Sequence, residues 1–108
     1  MTMTGLHACL KLQTDLTQKM QQLARGNFFI ASCSPLQAKG RGRAKRPLVL
    51  GPMCFAARPD PCEAIDDLVL QARRRDANAI YAFSMQELDD GWLVWGTPAI
   101  AGVESYRL

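Results

Sequence analysis

Leu6-His7-Ala8-Cys9-Leu10-Lys11-Leu12 sets Leu6, Ala8, Leu10 and Leu12 in alternation with His7, Cys9 and Lys11, which is the period of a strand. Leu12 also continues a helical stripe formed by Leu16, Met20 and Leu23. Read as a strand, the stretch opens a chain of order βαββαββ. Read as a helix, it makes the order αββαββ. The strand is taken as the first reading and the helix as the alternative.

Immediately downstream, Asp15-Leu16-Thr17-Gln18 places an acidic capping residue three positions before a glutamine, and Gly26 stands at a natural stop, so a short helix is predicted between them. A stronger start follows at Asp60-Pro61-Cys62-Glu63, with an N-cap carboxylate, proline at the first helical position and glutamate at the third. Ile65, Leu68, Val69 and Ala72 recur at helical spacing, and Arg73, Arg74 and Arg75 put positive charge where the carboxyl end of the helix dipole favours it. This helix is expected to end near Ala77.

Residues 28–33, 48–56 and 79–85 are short apolar and aromatic runs flanked by glycine, proline or asparagine, and read as strands. Asp89-Asp90-Gly91 reads as a hairpin turn that returns the chain along residues 92–100. The expected fold is α+β: a two-layer sandwich of an antiparallel sheet with two helices on one face, in the ferredoxin-like βαββαβ arrangement plus an extra C-terminal strand. The alternative is a duplicated αββαββ unit. A faint repeat agrees with duplication: Asp15 and Asp60 lie 45 positions apart, as do Leu48-Val49-Leu50-Gly51 and Leu93-Val94-Trp95-Gly96.

The chain of 108 residues is one domain in length, residues 1–108, and its 48% hydrophobic and 21% charged residues are those of a globular protein. The most apolar stretch, residues 92–103, is broken by Gly96 and Pro98 and falls short of the roughly 20 residues of a membrane span. The first residues lack the basic and continuous apolar regions of a secretory signal, so a cytoplasmic location and no membrane partner are expected. Cys9, Cys33, Cys54 and Cys62 are widely spaced with no CxxC pair, which gives no reason to expect a bound metal.

Two features point to binding. Pairing the hairpin across Asp90 puts Tyr81, Phe83, Met85, Leu93 and Trp95 on one face and Ile80, Ala82, Leu88, Trp92 and Val94 on the other. Both faces are apolar, and two helices cover only one, so Tyr81, Phe83, Trp92 and Trp95 are candidate interface residues for a homodimer or a protein partner. Separately, Lys39, Arg41, Arg43, Lys45 and Arg46 put five positive charges within eight residues of a glycine-containing segment, residues 37–46. Such a segment suits contact with nucleic-acid phosphates, although the strand beginning at Leu48 lacks the stacking aromatics of RNA-recognition-type domains. A solvated connection is the plainer reading of the same charges.

Catalysis is not expected. His7 is the single histidine, and no Ser-His-Asp or Cys-His order surrounds it. Cys62 sits in a helix's first turn, where the dipole favours a thiolate, but Asp60 and Glu63 oppose that. No glycine-rich phosphate loop joins a strand to a helix, and no cofactor is implied. The sequence therefore describes a small non-catalytic binding protein, acting on nucleic acid through the basic segment or, alternatively, as an interaction or inhibitor module through an apolar sheet face.

Overall fold

In the computed structural model the described residues are 2–35 and 47–101, with side chains described for 10–35 and 47–101. The helix that starts at Asp60 organises them. Asp60 has extended dihedrals (φ −102°, ψ 133°) and its carboxylate accepts from the Glu63 N–H at 3.2 Å, with Pro61 opening α2 (Pro61–Arg73). Pro61, Ala64, Ile65, Leu68, Val69 and Ala72 are its buried face, an unbroken series of three- and four-residue steps. The helix closes when Asp76 takes a left-handed φ of 63°; the Asp76 and Ala77 N–H groups donate back to the Arg73 and Ala72 carbonyls at 3.0 and 3.1 Å. This is the Schellman closure.

Residues 6–12 are helical, which overturns the strand reading. They belong to α1 (Thr2–Arg25), 24 residues long. The stretch holds leucine, alanine and lysine, good helix formers, and no β-branched or aromatic residue to favour a strand. Asp15 is consequently not a cap but a mid-helix residue, and the Thr14 and Thr17 hydroxyls donate to the carbonyls of Leu10 and Gln13 one turn back. The stop is Asn27, not Gly26: Asn27 has φ 59°, and the Asn27 and Phe28 N–H groups reach the Ala24 and Leu23 carbonyls at 3.0 and 2.9 Å. Both helices thus end in the same way.

Lys19 Nζ meets Asp66 Oδ1 at 2.9 Å, Cys62 lies across from Asp15 and Gln18, and Arg73 lies beside Gly26, so the helices run parallel. After each helix a short turn enters a strand. β1 (Phe29–Ile30) and β4 (Ala79–Leu88) accordingly pair in parallel, Phe29 with Ala79 and Ile30 with Ile80. Among the described residues the only hairpin in the sheet joins β4 to β5 (Gly91–Ile100).

The other edge is made by β2 (Leu48–Val49) and β3 (Cys54–Arg58), two pieces that pair with opposite ends of the same side of β5. Gly51 (φ 80°) and Pro52 interrupt what the sequence suggested as one strand over residues 48–56. Arg75 Nη1 reaches back from the end of α2 to the Pro52 carbonyl at 2.7 Å.

The sheet is therefore mixed and open, in the order β1-β4-β5-β2 with β3 also on β5. That order does not match the ferredoxin-like arrangement. Among the described residues it does not contain two hairpins either, because β1 and β2 stand on opposite edges. The coarser expectation holds: a small α+β sandwich, with two helices against one face of a sheet. Its core gathers Leu23 of α1, Phe28, the buried side of α2, Ile80, Val94, Cys54 and Ala56. Each large side chain among them contributes roughly 1.5–3 kcal/mol by burial.

The β4–β5 register departs from the one expected. Leu88 pairs with Gly91, so the turn is the two residues Asp89 and Asp90, and Met85 pairs with Val94 and Gln86 with Leu93. Met85 therefore joins the helix side and Leu88 the opposite side. Between Tyr81, which pairs with Thr97, and Ser84, which pairs with Trp95, one extra residue is accommodated in a bulge opposite Gly96. Ala82 takes φ 54° there, and the Ala82 and Phe83 N–H groups donate to Cys33 and Ala31. The bulge restores the alternation beyond it.

Candidate functional site

The face of the sheet away from the helices is ruled by register. Across β4, β5 and β3 it presents Ser84, Trp95 and Phe55 in one row and Gln86, Leu93 and Ala57 in the next; Tyr81 and Thr97 follow, then Ala79, Ala99 and Val49. Along β3 the small residues Cys54 and Ala56 are 2% and 7% exposed beneath α2, whereas Phe55 between them is 65% exposed. Val49 is also exposed, and Trp95, Leu93 and Tyr81 are partly so. No position in these rows carries a charge. Ala79 and Ala99 in the last of these rows are buried; over the other rows no helix or strand lies among the described residues.

Tyr81 and Trp95, two of the four candidate interface residues, stand on this face. Phe83 and Trp92 do not: Phe83, in the bulge, packs toward the core, and Trp92 pairs with Arg58 and Glu87 on the helix side. Phe55 is the residue the sequence reading misses. Its signal is a large aromatic between two small residues in an alternating strand, which marks the large residue as outward once the small ones are known to underlie a helix.

The edge beside Phe55 is blunted. Gln71 Nε2 donates to the Phe55 carbonyl at 2.8 Å, and Arg75 occupies the Pro52 carbonyl, so side chains of α2 and of the turn after it occupy acceptors that a foreign strand would need. The broad face, not this edge, is what the geometry leaves open.

Lys39, Arg41, Arg43, Lys45 and Arg46 lie outside the described residues. Of the described cations, Lys19 pairs with Asp66 and Arg58 Nε with Asp67 Oδ2, while Arg73 stacks over the Phe28 ring at 5.3 Å from its centroid. The Asp67 contact raises the Arg58 pKa above its ordinary value. Arg25 and Arg74 are exposed, and their side chains make no such contact among the described residues.

Charge is segregated along the strand direction. Both helices finish at the end of the sheet where β4 begins, which collects Arg25, Arg73, Arg74 and Arg75 and compensates two helix dipoles at once. At the opposite end, the β4–β5 turn and the start of α2 carry Glu87, Asp89, Asp90, Asp60 and Glu63.

Nucleophile chemistry finds little support in this arrangement. Burial and the neighbouring Asp60 carboxylate push the Cys62 thiol pKa up, and Asp15 and Asp66 add to the effect over the opposing pull of Lys19. Cys33 is exposed and Cys54 buried, both as free thiols. Among the described residues no group of three His, Cys, Asp or Glu side chains could hold a metal ion, and no helix is long and apolar enough to cross a membrane. No protein-family model matches the chain, and no curated protein matches it.

Proposed function

We propose that this protein is a non-catalytic interaction module that docks on another protein surface through the helix-free face of its sheet. One observation carries the reading: Phe55, 65% exposed, lies opposite Trp95 on a face without charged side chains. Aromatic residues in an uncharged surface are the usual composition of the centre of a protein interface. Burying Phe55 alone would contribute roughly 1.5–3 kcal/mol. The cytoplasm is its place of work in this reading, supported by the free thiols of Cys33, Cys54 and Cys62. Protein captured from the source cell by wild type and lost on Phe55→Ser supports the reading, provided both proteins melt alike. Equal capture by both sinks it.

A second reading, contact with nucleic-acid phosphates through residues 37–46, is favoured by Arg25 and Arg74. These two exposed guanidiniums stand at the end of the sheet where β2 begins, two residues after Arg46. Fluorescence anisotropy with generic RNA and DNA over a range of salt tests it. Wild type should bind with a steep inverse salt dependence, and replacement of Lys39, Arg41, Arg43, Lys45 and Arg46 by serine should remove both affinity and slope. A wild type that fails to bind even at low salt ends this reading.

A further inference from the structure

We infer that the occupant of the helix-free face is a second copy of this chain, laid face to face with its strands antiparallel, so that the acidic turn of each copy lies at the arginine end of the other. The inference rests on the interaction reading above and names its partner. Three observations converge on it. The face is uncharged, so a copy docked on itself meets no like charge at the centre. Its size suits a weak dimer: 29 strand residues, each spanning ~3.3 Å by ~4.8 Å, give about 450 Å² per copy, and about 900 Å² in total lies in the range of weak, transient interfaces. The third observation fixes direction. Glu87, Asp89 and Asp90 are exposed at one end of the strands, where Arg58 is neutralised by Asp67, and Arg25, Arg73, Arg74 and Arg75 outnumber the single Asp76 at the other. A two-fold axis across the strands brings unlike ends together twice, whereas parallel stacking brings like ends together twice. Sheets packed face to face stand ~10 Å apart, and the arginines of the helix layer stand farther off. The charges therefore act through space, selecting orientation and speeding encounter.

The test is sedimentation equilibrium at an ionic strength near 10 mM, where the screening length is about 30 Å. One variant reverses the turn (Glu87→Lys, Asp89→Lys, Asp90→Lys); the other reverses two exposed arginines (Arg25→Glu, Arg74→Glu). Wild type should show a concentration-dependent monomer–dimer equilibrium, each variant should dimerise about tenfold more weakly, and their equimolar mixture should recover the wild-type strength. The arginine variant is decisive, because each change removes two units from the formal net charge of +3 and leaves it near neutrality. Net repulsion would then predict tighter self-association, and antiparallel docking predicts weaker. Should that variant fold poorly by circular dichroism, Arg25→Ser with Arg74→Ser must still weaken the dimer. A wild-type monomer at every concentration overturns the second-copy inference and leaves the interaction reading to its own capture test. A dimer indifferent to the charge variants overturns the orientation, and a dimer indifferent to Phe55→Asp overturns both.

Discussion

Replacing Gly96 with alanine tests the bulge on which the two faces of the sheet depend. Gly96 is buried, opposite the extra residue at Ala82 and Phe83, and a Cβ added there would overlap Ile80 Cγ2 and stand 3.2 Å from the Tyr81 carbonyl oxygen. Ile80 is 0% exposed and β-branched, so it has almost no rotamer into which to retreat. Overpacking of this kind costs about 1–3 kcal/mol, and with about 4–8 °C per kcal/mol for a domain of this size the thermal midpoint should fall by roughly 5–20 °C. Ile80→Ala removes the opposing methyl and costs about 2–5 kcal/mol by itself. In the double variant the clash has no partner, so the combined loss should be smaller than the sum of the two by about 0.5–3 kcal/mol. Urea melts of the four proteins, followed by tryptophan fluorescence, close the cycle. An unchanged midpoint for Gly96→Ala, or strict additivity, would refute the bulge packing and with it the assignment of Trp95 and Phe83 to opposite sides.

The remaining predictions concern helix ends and thiols. Asp60→Ala deletes the acceptor of the Glu63 N–H and should lower stability by about 0.5–2 kcal/mol in a urea melt; no change would place the start of α2 elsewhere. Asp76→Gly relieves a left-handed residue and should raise stability, by about 1 kcal/mol, with a loss in the same melt counting against the Schellman closure. Alkylation followed at the peptide level by mass spectrometry should modify Cys33 first, Cys62 more slowly because its thiolate is disfavoured, and Cys54 last. Because folding raises the Cys62 pKa, the stability it contributes is present below the ordinary thiol range and declines as pH climbs through the raised value. Cys62→Ser should flatten that alkaline decline in thermal melts, and an unaltered pH profile would dismiss the burial of this thiol.

What the sequence determined by itself was whatever short-range chemistry specifies. The cap at Asp60, proline at the first helical position, and the buried series through Ala72 are statements about neighbours within two turns, and they place α2 without reference to the rest of the chain. The acidic turn and its flanking apolar strands specify the β4–β5 hairpin in the same local way. Residues 6–12 satisfy two periods at once, and only their continuity with Leu16, Met20 and Leu23 against the core selects the helix. Which strands are neighbours was decided in three dimensions, because β1 joins β4 across fifty positions of sequence through the packing of two parallel helices. The binding face was decided there too. Strand side chains alternate with a period of two, so a two-residue turn at Asp89 and Asp90 moved Met85 inward and Leu88 outward, and a single extra residue at Ala82 turned Phe83 toward the core while Tyr81 stayed with Trp95. Phe55 faces outward for the same reason: α2 lies on the Cys54 and Ala56 side of β3, and on which side a helix settles is a property of the assembled layers.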